Sequence, residues 1–173
     1  ESVECKNAIV AHIVSHDVVD ERLRQIKGSL SRVGFDIDSF TDIAECNQDN
    51  LRCTLQTVTP ADIKALSASD TLFEVVLVDV PCSSSGVLRR RPSQRWLMSE
   101  EDTLQSLPTL QLDIIQKAAT FVRGGGTLVY ATCSLLKEEN EEVIKSFETS
   151  EVFRNGGFVP WPFSEDCIDL SEE

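Results

Sequence analysis

The chain has 173 residues, 41% hydrophobic and 26% charged, and a net charge of −13; that length suits one domain, 1–173, with a buried core. No run of about 18 apolar residues occurs, so no transmembrane helix and no membrane partner are expected, and no basic-then-apolar N-terminal pattern points to secretion. The six cysteines, Cys5, Cys46, Cys53, Cys82, Cys133 and Cys167, lack CxxC spacing; they suit reduced thiols in an intracellular protein, with no metal site and no disulfide framework.

Strands and helices alternate along the chain, the pattern of an α/β protein with a mainly parallel sheet. Ala8 to Ser15 (AIVAHIVS) reads as a strand. From about Asp20, Leu23, Ile26, Leu30 and Val33 repeat at helical spacing, and Gly34 is a natural terminator. Residues 36–58 are ambiguous, with a short strand plausible at Leu55–Val58. Glu74 to Asp79 (EVVLVD) is an apolar, β-branched, buried strand. Arg89, Arg90, Arg91 and Arg95 follow it as one compact basic stretch.

Ser99 to Asp102 resembles a capping box, and a helix is expected from about Leu107 to Val122, burying Leu112, Ile115, Ala119 and Val122. Gly124-Gly125-Gly126 ends that helix in this reading and turns into a strand, Thr127–Thr132. An acid-rich start at Glu138–Glu142 opens a helix through Phe147, favourable for the helix dipole. Gly156 to Phe163 reads as a short strand and loop. The acidic C-terminal fifth, with Glu138, Glu139, Glu141 and Glu142 followed by Glu165, Asp166, Asp169, Glu172 and Glu173, reads as solvated surface.

Two strands end alike, in Asp79-Val-Pro-Cys82-Ser and in Thr132-Cys133-Ser134. One evident crossover helix separates them, so they are expected to be neighbours, about 4.8 Å apart. Ligands of open parallel sheets bind beyond the carboxyl ends of the strands. Both thiols therefore face one cleft in this reading. A single buried cysteine is ordinarily just a small hydrophobe, whereas paired placement is harder to assign to packing.

The run Asp79 to Trp96, DVPCSSSGVLRRRPSQRW, resembles the Sun/Fmu family of RNA cytosine-5 methyltransferases, particularly its RsmB-like rRNA members, whose motif is roughly D-A-P-C-S-G-x-G-x-x-R-R-x-P-D-x-R-W. Gly125 to Glu141 (GGTLVYATCSLLKEENE) matches the second signature, T-C-S followed by E-E-N-E, and Val14 to Gly34 matches an acidic strand end with its following helix. The resemblance covers most of residues 8–147. It implies a Rossmann-like class I methyltransferase sheet with helices on both faces, S-adenosylmethionine as cofactor, and RNA as substrate, rRNA preferred and tRNA possible. A cytoplasmic location is implied, or a nucleolar or mitochondrial one in a eukaryote.

The chemistry explains the residue types. Cytosine C5 is a poor nucleophile until a thiolate adds to C6, and a base must later remove the C5 proton so that the thiol can leave, which splits one hard step into easier ones. By resemblance Cys133 is the nucleophile and Cys82 assists release; position alone leaves the order open, because DNA cytosine methyltransferases attack with the Pro-Cys cysteine. Asp79 would hydrogen-bond cytosine N3 and the exocyclic amine, and its acid form would require burial. Asp17, Asp62, Asp79 and Pro81 are the implied cofactor contacts. Arg89, Arg90, Arg91 and Arg95 are candidates for backbone phosphates, or for structural pairing within the motif. Taken as bare residues, Asp17 and Asp62 read as ordinary loop aspartates, whereas for Asp79, with Pro81 and Cys82 beside it, a helix or turn cap is the lesser alternative.

Departures from the family pattern qualify this resemblance. No C-A-A-P-G-G-K-T-like glycine loop precedes the Asp17 strand, no F-F-x-A-like strand follows, and Ser93 stands where the motif has aspartate. The expectation is a partial catalytic domain lacking the first strand and its loop, with a gap between the Asp17 and Asp79 strands and a further segment or polypeptide completing the sheet. The net charge is awkward for phosphate binding, so RNA affinity would be local or supplied by another domain. A methyltransferase-like scaffold for ribonucleoprotein assembly, without catalysis, is the alternative.

Overall fold

Hydrogen bonds join the strands into two separate sheets, and each sheet contains one parallel pair. The computed structural model describes residues 9–32, 36–37, 43–48, 51–59, 62–63, 65–66 and 71–161. The backbone divides into two units, Glu1–Asp70 and Thr71–Glu173.

In the first unit, β1 (Ile9–His16) lies parallel to β4 (Leu51–Val58), while β3 (Ile43–Gln48) runs antiparallel to both β4 and the short β2 (Asp36–Ile37). The ambiguous stretch 36–58 is thus three strands, and the Leu55–Val58 signal is the end of a longer one. Histidines on β1 reach their register partners: His12 Nδ1 lies 2.6 Å from Thr54 Oγ1, and His16 Nδ1 lies 3.0 Å from the Val58 carbonyl. Helix α1 (Asp20–Arg32) begins where the leucine spacing begins, with Asp20 and Glu21 in its first turn, favourable to the helix dipole. Leu23 and Val58 are buried. Val33 and Gly34 lie outside the described residues.

The second unit pairs β5 (Phe73–Asp79) with β6 (Val122–Ala131) in parallel, as the neighbouring-strand reading requires. The crossover holds two 3-10 turns, Ser85–Val87 and Pro92–Trp96, then a π-helical turn, Asp102–Ser106, leading into α2 (Leu107–Ala119). The capping box forms: Ser99 Oγ donates to Asp102 Oδ2 at 2.6 Å and accepts from the Asp102 N–H at 3.0 Å. After β6 come a 3-10 turn at Lys137–Glu139, α3 (Glu141–Glu148) and α4 (Glu151–Gly156), the last capped by Ser150, which accepts from the Phe153 N–H.

Packing of this unit follows the period-two alternation of the strands. Val76 and Val78 share register with Leu128 and Tyr130. Leu128 and Tyr130 pack on the core formed by Ile115 and Ala119 of α2 and Phe147 of α3, where Phe153 and Phe158 join Phe147 in an aromatic trio. The three helices described in this unit all meet this one core. The opposite face carries Val75 and Leu77, 62% and 66% exposed, so within this unit the expected two-sided helical cover is one-sided.

Three expected boundaries change. Helix α2 ends at Ala119, because Thr120 folds back and donates both its N–H and Oγ1 to the Lys117 carbonyl. Gly124-Gly125-Gly126 therefore lies inside β6 rather than ending the helix, at the register shift opposite Phe73–Val75. Gly125 has φ +74°, and a Cβ on Gly126 would stand 2.9 Å from the Glu74 carbonyl. Gly156 closes α4 instead of opening a strand, and residues 158–161 form none. Phe163 and the acidic tail lie outside the described residues.

Candidate active site

The carboxyl ends of β5 and β6 lie side by side, and this brings the two motif cysteines together. Cys82 Sγ and Cys133 Sγ are 3.0 Å apart. Cys133 is exposed and Cys82 half-buried, so neither is sealed in apolar core. Burial, followed by the neighbouring Cys133 thiol, pushes the Cys82 thiol above its ordinary value. A thiol so shifted holds its proton at neutral pH.

Two loops carry the sulfurs and are laced together. The Gly86 N–H donates to the Cys133 carbonyl at 2.9 Å, and a Cβ on Gly86 would meet that oxygen at 2.7 Å, so only glycine permits the approach. The Leu135 N–H donates to Ser85 Oγ at 2.8 Å, and Ser134 Oγ lies 3.2 Å from both Ser83 Oγ and Ser85 Oγ. Asn140 shapes the second loop: its Nδ2 donates to the carbonyls of Ser134 and Leu136, and its Oδ1 accepts from Thr132 Oγ1.

At the centre sits Glu139, fully buried. Its Oε2 accepts from the Ser83 N–H at 2.8 Å and from Gln111 Nε2 at 2.9 Å; its Oε1 accepts from Ser134 Oγ at 2.8 Å. Gln111, equally buried, also donates to the Pro81 carbonyl at 2.8 Å. One carboxylate therefore ties the Cys82 loop, the Cys133 loop and α2. Burial alone would raise the Glu139 carboxyl, but the bonds from Ser83, Ser134 and Gln111 outweigh it and hold the carboxyl below its ordinary value. The Tyr130 hydroxyl donates to the Glu139 carbonyl at 2.8 Å; burial, then Glu139 and Cys82, push that hydroxyl above its ordinary value, so it remains a donor.

Glu139 was expected in the exposed acidic opening of a helix. It stands instead in the 3-10 turn before α3, turned inward, and the dipole role falls to Glu141 and Glu142. Glu139, Gln111 and Asn140 escaped the sequence reading because a polar residue's burial depends on partners distant in sequence. The one available signal was the place of Glu139 and Asn140 in the E-E-N-E match.

The other expected site residues fall at strand ends. Asp79 is the last residue of β5, exposed on the face that the helices leave bare, so this unit does not supply the burial an acid role requires. Pro81 is exposed, with its carbonyl held by Gln111. Asp17 directly follows β1; its Oδ1 accepts from the Val19 N–H at 2.8 Å and its Oδ2 pairs with Arg22 at 3.4 Å. Asp62 closes a capping box, accepting from the Thr59 N–H and Oγ1, and these bonds hold its carboxyl below the ordinary range. Both first-unit aspartates thus have local structural partners.

Arg89, Arg90, Arg91 and Arg95 are exposed, and none forms an ion pair among the described residues. Arg95 lies over the Trp96 ring at 5.7 Å, within cation–π range, and Trp96 is itself 83% exposed. Beside Cys82 a cavity of about 230 Å³ is lined by Cys82, Ser83, Gln94, Leu97, Met98 and Leu110, among others.

A parallel strand pair bearing two adjacent thiols at its carboxyl end, in an α/β chain, has the layout of a methyltransferase. A solved structure described as a methyltransferase homolog protein from Pyrococcus horikoshii matches 81% of this chain and 44% of that one, with TM-score 0.51 and 26% identity. The model of the family described as 16S rRNA methyltransferase RsmB/F matches residues 4–154, and the chain belongs to that family. It is 35% identical over 154 residues to Ribosomal RNA small subunit methyltransferase B of Pasteurella multocida (strain Pm70), covering 89% of this chain and 31% of that protein. It is 36% identical over 137 residues to the protein of the same name from Enterobacter sp. (strain 638), covering 79% and 28%. The chain thus spans about a third of the length of the curated relatives it matches.

Proposed function

We propose that residues 1–173 form part of the catalytic domain of an S-adenosylmethionine-dependent RNA cytosine-5 methyltransferase, acting on rRNA through a covalent cysteine–C6 adduct. The observation that carries this reading is the 3.0 Å separation of the Cys82 and Cys133 sulfurs, with Cys133 exposed. A sulfur that must bond to a pyrimidine needs access, and a second group that must help undo the bond needs to be adjacent. Both conditions are met at one place.

In this reading the Cys133 thiolate adds to C6, and electron density moves to C5, which becomes the nucleophile. S-adenosylmethionine, when bound, supplies the electrophilic methyl group. The C5 proton then leaves to a base, the C6–S bond breaks, and Cys133 departs as thiolate with Cys82 assisting. Asp79 orients the base at N3 and the exocyclic amine. Asp17 and Asp62 of the first unit, and Asp79 and Pro81 of the second, are the proposed cofactor contacts, and the fit rests on position within each unit by itself. Each lies at or just beyond the carboxyl end of a parallel strand, where such sheets bind ligands.

The first strand and glycine-rich loop would come from sequence outside these residues or from another polypeptide. Arg89, Arg90, Arg91 and Arg95, exposed and unpaired among the described residues, would meet the RNA backbone. The target base must be single-stranded or flipped out to reach the thiol.

Substitution separates the two thiol roles. Cys133→Ala should abolish methyl transfer, whereas Cys82→Ala should trap a protein–RNA adduct that survives denaturing electrophoresis. Unchanged activity in the first and no adduct in the second would overturn the assignment. Failure of the natural protein to bind S-adenosylmethionine in calorimetry would favour the scaffold reading instead.

A further inference from the structure

Ser84 is the one non-glycine residue with positive φ among the described residues, at φ 60° and ψ 27°. A Cβ makes that backbone region costly, and the motif given above carries glycine at this position. Such strain persists where the surroundings over-determine the residue, and it concentrates at reactive sites. Here both flanks are clamped. The Ser83 N–H is bound to Glu139, Ser85 Oγ holds the Leu135 N–H, and the Gly86 N–H is bound to the Cys133 carbonyl.

The strained residue addresses both sulfurs. Cys133 Sγ donates to Ser84 Oγ across 3.4 Å, while the Ser84 N–H faces the Cys82 sulfur and favours its ionised form. A serine hydroxyl both accepts and donates. Its bond to an ionised sulfur is stronger than its bond to a neutral thiol. No other side chain is bonded to Cys133 Sγ among the described residues except Cys82 itself.

We infer that Ser84 is a catalytic residue of the thiol pair: once Cys133 gives its proton to solvent, the Ser84 hydroxyl turns and donates its hydrogen to the Cys133 sulfur. The inference rests on the proposed role of Cys133 as nucleophile. It assigns the left-handed serine a chemical reason, since glycine would relieve the backbone but remove the hydroxyl donor, leaving the thiolate only the Cys82 thiol among the described side chains. Stability and reactivity then oppose each other at this position, a common trade at working sites.

The test compares Ser84→Gly and Ser84→Ala with the unaltered full chain, with neither RNA nor cofactor present. Carbamidomethylation of Cys133 by iodoacetamide, with iodide as leaving group, is followed by peptide mass spectrometry, alongside thermal unfolding. Both variants should alkylate about tenfold more slowly at neutral pH, the worth of one hydrogen bond to a charged group. Ser84→Gly should melt at or above the temperature of the unaltered chain. Alkylation at the original rate in either variant, or slower alkylation only where melting also falls, would overturn the inference. The proposed function fails separately, if Cys133→Ala still transfers methyl groups, and that result leaves the alkylation comparison readable.

Discussion

The loops carrying the two thiols and the basic stretch that follows Cys82 are close in sequence but built in opposite ways. Around the sulfurs the buried polar side chains of the described residues are all partnered: Ser83, Ser134 and Gln111 converge on the buried Glu139 carboxylate, and Asn140 holds three partners of the second loop. Only a few residues on, Arg89, Arg90, Arg91 and Arg95 are exposed and unpaired among the described residues. Reacting atoms must be held within tenths of an ångström, and a buried network does this because breaking any one bond strands the others. Groups that meet a phosphate backbone need charge and reach more than fixed geometry, so solvent exposure costs them nothing.

Breaking the network should give the largest effect. Glu139→Ala leaves the Ser83 N–H, Gln111 Nε2 and Ser134 Oγ buried without their acceptor, and should cost about 3 kcal/mol or more in denaturant unfolding. Gly86→Ala comes next. The added Cβ meets the Cys133 carbonyl at 2.7 Å, so the two loops must part, at about 1–3 kcal/mol and with faster independent alkylation of each thiol.

Acid sharpens the contrast in a graded way. The Glu139 carboxyl is held below its ordinary value, so its contribution to stability is complete above the unfolded glutamate value. It is lost as pH falls from there through the lower folded value. Unfolding free energy measured across that window should decline in the unaltered chain and decline less in Glu139→Gln. The smallest stability effect belongs to the arginines: Arg89→Gln or Arg90→Gln should change unfolding by less than about 0.5 kcal/mol. Each should nevertheless weaken RNA binding and reduce the salt dependence of affinity by about one phosphate contact. Arginine variants that unfold like Glu139→Ala would erase the distinction.

The same contrast governs what could be read in advance. The strands were legible because Val75 to Val78 and Leu128 to Tyr130 follow local patterns, although the burial expected of the whole first strand fails at Val75 and Leu77, and the strand-end motifs named the family because they combine specific residues at specific spacing. The glycine triplet misled: glycine after an apolar helix pattern signals a stop, but Gly126 is required by the approach of the Glu74 carbonyl across the strand pair. The acidic run misled likewise, since four glutamates in five residues read as solvated surface while one of them is turned wholly inward.

By itself, the amino-acid order determined the alternation of strands and helices, the two Cys-bearing strand ends and the family they mark, because these depend on residues near one another in the chain. Only the tertiary structure decided that the sulfurs stand 3.0 Å apart, that Glu139 is shared between their loops, and that Ser84 adopts a left-handed backbone between them. Those facts depend on hydrogen bonds spanning about fifty residues, and such bonds become definite only when β5 and β6 have paired.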